Sequence, residues 1–242
     1  MSQVFFRELN GFLNSLIGYL VIGVFLVAMG LLMWVFTETS VLDYGYADMD
    51  TLFSVGPYVF IFLVPAITMR TFSEEKKLGT LELLLTKPLA ETDIVAGKFF
   101  ASFCLVIISL APTVIYYFTL STLGNPPGNI DTPGVTGSFI GMILLGSVFC
   151  AVGIFASSIT PNQVVSFIVA AFLSFVLYSG LDSIAAISPN GETALFIRQL
   201  GMLYHFESLG KGLIDSRDVI YFLSLGGVML LLTKTIISSR SW

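Results

Sequence analysis

"GSFIGMILLGSVFCAVGIFASSI", residues 137–159, runs for 23 positions without a charged side chain. As a helix, at about 1.5 Å per residue, it is roughly 35 Å long, enough to cross a hydrocarbon core of about 30 Å. A helix apolar on every side has to be surrounded by lipid or by other helices. Five further segments read the same way, so the predicted spans are 17–36, 52–69, 98–120, 137–159, 163–186 and 218–237.

The composition agrees. Of 242 residues, 55% are hydrophobic and 11% charged, against about 25% charged in an ordinary soluble domain. The expected fold class is therefore all-α: a single polytopic membrane domain over 1–242 with six transmembrane helices. The formal charge of −5 does not point to nucleic acid, because in such a chain the placement of charge matters more than its sum.

Placement also sets orientation, since cytoplasmic loops hold an excess of Lys and Arg. With the N-terminus cytoplasmic, Arg7, Arg70, Lys76, Lys77, Lys87, Lys98, Lys234 and Arg240 lie inside, and only Arg198, Lys211 and Arg217 outside. The first external loop, 37–51, carries Glu38, Asp43, Asp48 and Asp50 and no basic residue. Both termini are expected in the cytoplasm. The first span is too long for a signal-peptide core and follows Arg7 and Glu8, which reads as an uncleaved anchor.

Between the spans, residues 1–14 place Phe5, Leu9, Phe12 and Leu13 on one helical face opposite Gln3, Arg7, Asn10 and Asn14, the pattern of a surface helix on membrane lipid. Residues 122–136, "TLGNPPGNIDTPGVT", are predicted to be loop throughout, from their prolines and glycines. "TPNQ", 160–163, is a tight turn that makes its flanking helices antiparallel neighbours. Residues 188–217 read as short helices on the outer surface, ending in "DSRD", where Asp215 caps the last span and Asp218 sits in its first turn. Cys104 and Cys150 read as small buried hydrophobes, and His205 as an ordinary polar or interfacial histidine.

Several chemistries find no residues to carry them. The spans hold almost no ionisable groups, which disfavours an ion-coupled carrier or a charge-lined channel. The phosphate-binding pattern G-x-x-x-x-G-K-[ST] is absent, and "LGKG" at 209–212 has the wrong spacing on the wrong side. No nucleophile–base arrangement or zinc signature stands out. The chain is not expected to be an enzyme, nor to hold a metal or cofactor of its own.

Charge is concentrated instead in the cytoplasmic loop 70–97, around "EEKKLGTLELLLTKP", residues 74–88. Leu78, Leu81 and Leu85 fall on one face of a helix, and Glu75 and Glu82, seven apart, on another, with Lys76 and Lys77 beside them. Pro88 ends that helix, because it disfavours helical geometry at Lys87. An apolar face combined with charges of both signs suits docking in a protein cleft better than binding anionic lipid.

The longer stretch "FSEEKKLGTLELLLTKPLAETDIVAGKFFA", 72–101, resembles the cytoplasmic loop of ABC-2 type transporter permeases, at Glu74, Glu75, Lys76, Gly79, Thr80, Leu81, Glu82, Pro88, Ile94, Val95, Gly97 and Lys98. "YHFESLGKGLIDSRDVIYFLSL", 204–225, resembles the family's approach to its last span. Where members often place a capping Ser or Thr, this chain has Ala90, so the second cytoplasmic helix is expected to start less firmly, or at Thr92. Among such permeases the chain is most similar to the gliding-motility-associated subunits, relatives of the copper-site-maturation permeases.

The resemblance implies an ABC-2 type, type V-like permease fold in a bacterial inner membrane. It implies that ATP and Mg belong to a separate ATP-binding subunit, present in two copies, and that a second permease subunit, a different chain, completes the transporter. It implies that Glu74, Glu75, Lys76, Lys77, Leu78, Gly79, Thr80, Leu81, Glu82, Leu85 and Pro88 couple the permease to that ATPase. The work done would be export, or mechanical or assembly work in gliding motility. The alternative is a non-transporting scaffold that anchors envelope machinery.

Overall fold

The structure, a computed structural model, describes residues 1–44, 46–86, 89–188 and 190–239, with the backbone alone at Tyr44 and Leu85. Six helical stretches are long and apolar enough to cross a membrane: Leu16–Trp34, Asp50–Lys77, Glu91–Leu123, Thr132–Ile159, Gln163–Ile187 and Ser216–Ser238. Among the described residues every regular element is helical.

In chain order these are α1 (Ser2–Leu13), α2 (Leu16–Trp34), the single turn α3 (Val41–Tyr44), α4 (Asp50–Thr68), and two short helices, α5 (Ser73–Leu78) and α6 (Thr80–Leu85). The third span is α7 (Glu91–Leu110), a 3-10 turn containing Pro112, and α8 (Val114–Leu123). Then come α9 (Thr132–Ile159), α10 (Gln163–Phe175), a π-helical turn over Val176–Gly180, and α11 (Leu181–Ile187). Two short helices, α12 (Gly191–Gln199) and α13 (Met202–Gly210), precede the last span, α14 (Ser216–Ser238).

The stretch that identified the fold is also its centre. Helix α9 packs against α4, α7, α10, α13 and α14, and Val148, Phe149, Cys150, Ala151, Val152 and Ile154 are fully buried on it. Its small residues permit this crowding: a Cβ at Gly153 would stand 1.9 Å from Thr68 Oγ1, and one at Gly146 2.7 Å from Val106 Cγ1. With no hydrophobic force between helices in lipid, such close backbone approach is the chief source of helix affinity. The outer spans α2, α10 and α14 leave large apolar side chains such as Leu20, Val27, Phe172 and Leu231 on the surface, as lipid-facing helices do.

Local signals shape several joints. Asn162 caps α10, accepting from Val164 N at 3.0 Å, and α9 and α10 lie against one another. Asp215 caps α14 through Arg217 N at 2.9 Å. Gly191–Gln199 and Met202–Gly210 are short helices, and both cysteines are free, Cys150 buried and Cys104 half-buried.

Other expectations need correcting. Helix α9 begins at Thr132, inside the segment predicted as loop. Pro133 lies in its first turn, where a missing N–H costs nothing, and Asp131 caps it through Gly134 N at 3.2 Å. Helix α7 starts at Glu91, seven residues before the predicted span and one before Thr92; Ala90 indeed supplies no side-chain cap. The amphipathic face of α1 is also turned. Val4 and Phe12 are its buried residues and flank half-buried Glu8, while Phe5, Leu9 and Leu13 are half-buried to one side. The helix lies along α7 and against α2.

Candidate functional site

The charged loop and the helices around it meet where α1, α5 and α7 converge. At the centre is Lys98, on the second turn of α7 and only 1% exposed. A lysine this deep must be paired, because the cost of leaving its charge unpaired is several kcal/mol. Its Nζ donates to Thr71 O at 2.7 Å and to Glu8 Oε1 at 3.1 Å, and lies 3.0 Å from Glu75 Oε1. It also sits over the Phe72 ring, 4.9 Å from the centroid, a cation–π contact.

Arg7 closes the cluster. Its Nη2 bonds Glu8 Oε1 at 2.5 Å and Glu75 Oε1 at 3.0 Å. Burial alone would raise the Glu8 carboxyl, but the Lys98 charge and the hydrogen bonds from Arg7 and Lys98 outweigh it and hold Glu8 below the usual carboxylate range. Two cations and two carboxylates thus join three elements that are up to 90 residues apart. The second Glu75 oxygen is buried and has no hydrogen-bond partner among the described residues.

Gly97 makes the closeness possible. A Cβ there would lie 2.9 Å from Val4 Cβ and 3.2 Å from Met1 O. In the Gly97–Lys98 pair, the glycine admits α1 and the lysine latches it. Beside them a cleft of about 390 Å³ opens between α1 and α5. On its wall Arg70 donates to Ser15 Oγ at 3.1 Å and lies over the Phe12 ring at 5.3 Å.

Helix α5 is anchored at its other side by α9. Ser157 Oγ accepts from the backbone N–H of Phe72 at 2.8 Å and of Ser73 at 3.1 Å, and Lys76 Nζ donates to Ser158 O. These bonds satisfy donors that a helix N-terminus otherwise leaves open.

The predicted single helix with a leucine face is not what forms. Gly79, at φ +69°, ends α5 in the left-handed conformation and turns the chain into α6, a geometry that Gly adopts without the Cβ penalty. The turn separates the leucines. Leu81 and Leu84 are buried in a small core with Phe72, Ile94, Val95, Ile154 and Ile237, whereas Leu78 and Leu83 are about two-thirds exposed, at 66% and 67%. The carboxylates part in the same way, Glu75 into the ion cluster and Glu82 outward.

Of the residues expected to act, then, Glu74, Lys77, Leu78, Gly79, Thr80 and Glu82 are exposed together on this elbow. Glu75, Lys76 and Leu81 are its roots. The side chain of Leu85, and Lys87, Pro88 and Arg240 entirely, lie outside the described residues. Leu83 was not foreseen, nor were Arg7 and Glu8 as partners of the loop. A signal existed for the latter: a lysine at the start of a span calls for a carboxylate, and Glu8 is the acidic residue nearest the first span.

At the opposite end of the bundle, His205 is more than an interfacial residue. Its Nδ1 lies 2.7 Å from Asp218 Oδ1 and its Nε2 2.9 Å from Gln199 O, and its ring stacks on Tyr221 at 3.9 Å. The Tyr221 hydroxyl donates to Leu200 O at 2.6 Å. This brace ties α12 and α13 to α14.

Comparison with known proteins agrees with this architecture. A family model described as "ABC-2 family transporter protein" matches residues 19–240. No curated protein matches the chain.

Proposed function

The chain belongs to the ABC-2 transporter family, and from that membership we propose that it is the permease subunit of an ABC transporter whose ATP is hydrolysed by a separate chain. Helices α5 and α6 form the coupling element. The observation that carries this reading is the elbow at Gly79: Glu74, Lys77, Leu78, Glu82 and Leu83 are exposed on it, while its roots are held by ions and hydrogen bonds to α1, α7 and α9.

An element that receives a push needs such an arrangement. The exposed leucines supply an apolar anchor, and charges of both signs fix its register in a cleft of the partner. A docked helix that could move alone would dissipate the push. Here Glu75–Lys98–Glu8 carries displacement of α5 into the third span and the N-terminal helix together.

In this reading the elbow and both termini face the cytoplasm of a bacterial cell, across its inner membrane. Two ATP-binding subunits, holding ATP and Mg, and a second, different permease chain complete the assembly. Resemblance in the loop favours a role in gliding motility, by export or by mechanical work on the envelope.

The test is purification of the tagged chain from its native host in mild detergent. A stoichiometric partner bearing the G-x-x-x-x-G-K-[ST] motif is expected, and Leu78→Asp with Glu82→Lys should release it without changing the permease's melting temperature. An unchanged complex with unchanged ATPase stimulation in that double variant would overturn the assignment of the elbow.

A further inference from the structure

At the end of the bundle away from the termini, α4, α9, α13 and the π-helical turn enclose a cleft of about 440 Å³, within the range of small-molecule sites. Four aromatic rings line it. Tyr58 and Tyr178 meet edge to face at 5.4 Å, Tyr178 and Phe206 at 6.3 Å, and Phe53 stands one turn before Tyr58 on α4. Asp50, in the first turn of α4, and Glu207, on α13, add two exposed carboxylates. No lysine, arginine or histidine lines the cleft among the described residues.

Tyr178 is the unusual member. It is 1% exposed and lines the cleft, and its hydroxyl is not among the buried polar atoms left without a partner. It lies in the π-helical turn Val176–Gly180, the kind of interruption that recurs at functional sites because it re-aims side chains at the expense of regular hydrogen bonding. A phenol that keeps a little accessible surface on a cleft can exchange water there for a ligand's donor.

We propose that this cleft binds an organic cation, a substituted ammonium bearing an apolar group. Asp50 and Glu207 supply the opposite charge at the mouth. The face of Tyr58, 41% exposed, attracts a cation through its quadrupole, and an ammonium N–H donates to the Tyr178 oxygen. Phe53 and Phe206 receive the apolar portion. An anion of the same shape meets two carboxylates and no cation. The site goes beyond the coupling reading and does not depend on it; only the side of the membrane from which it is reached follows from the proposed orientation.

The full chain in lipid nanodiscs, without any ATP-binding subunit, provides the test by ligand-observed NMR. The probes are 2-phenylethylammonium and the similarly shaped anion 3-phenylpropanoate, with empty nanodiscs subtracted. Saturable binding is expected for the cation alone. It should weaken at least tenfold in the combined Asp50→Asn and Glu207→Gln variant, and several-fold in Tyr178→Phe, which removes only the hydroxyl. Equal binding of the anion, no saturable cation binding, or cation binding unchanged in the carboxamide pair would overturn the proposal. Because ATPase coupling is measured separately with the partner present, failure of one reading leaves the other standing.

Discussion

The two ends of the bundle each bury a charge, and they do so differently. Near the termini, Lys98 is engaged by Glu8, Glu75 and the Thr71 carbonyl, with Arg7 on both carboxylates. At the other end, Asp218 is 5% exposed and has one partner, His205, thirteen residues away, while its second oxygen has none among the described residues. The first joins segments distant in sequence, and the second braces neighbours. A cluster that spans α1, α5 and α7 can pass movement between them. A brace confined to the last third of the chain can hold only its own corner together.

Substitution should expose this difference most strongly at Lys98. Lys98→Met leaves two carboxylates facing each other with only Arg7 between them, and removing one partner of a buried pair costs about 3–5 kcal/mol. Asp218→Asn keeps shape and one hydrogen bond, so its cost should be nearer 1 kcal/mol. Thermal melting in detergent measures both. The contrast breaks if Asp218→Asn is the more damaging. Adding Glu8→Gln and Glu75→Gln to Lys98→Met should recover part of the loss, because the unpaired charges go with their partner.

Acid sharpens the same comparison. Glu8 is held below its ordinary range, so its contribution is complete above the unfolded value of about 4.3 and fades as pH falls through the lower folded value. The melting temperature of the native chain should therefore exceed that of Glu8→Gln most at neutral pH, and the gap should close on acidification below about pH 4.3. A gap independent of pH would mean that Glu8 acts through packing and not through charge.

The smallest effect is expected at Gly79. A Cβ there meets nothing within 4 Å, but the residue sits at φ +69°, and a left-handed conformation costs a non-glycine residue roughly 1–2 kcal/mol. Gly79→Ala should lower melting by about 1 kcal/mol and alter ATPase coupling more than stability, since the elbow and not the core is strained. Unchanged coupling would show that the bend at Gly79 is incidental.

Much of this was legible along the chain. The spans followed from apolar length, the cap at Asp215 from residue type next to a helix start, and the special character of 74–88 from charge and resemblance. Less legible was the start of α9. Prolines and glycines suggested loop through 136, yet Pro133 suits a first turn once Asp131 caps it. The leucine face failed for a related reason: periodicity assumed a continuous helix, and one left-handed glycine rotated everything after it.

What the sequence by itself determined is how many times the chain crosses and where its charges collect, because transfer of a helix into lipid is nearly additive over contiguous residues. Only the tertiary structure decided which of those charges are buried. Glu75 turns inward and Glu82 outward because Lys98 and Arg7 stand beside one and not the other. The partner that makes a buried charge tolerable is supplied from the far side of the fold, 68 residues on for Arg7 and Glu75 and 90 for Glu8 and Lys98, and no local pattern contains it.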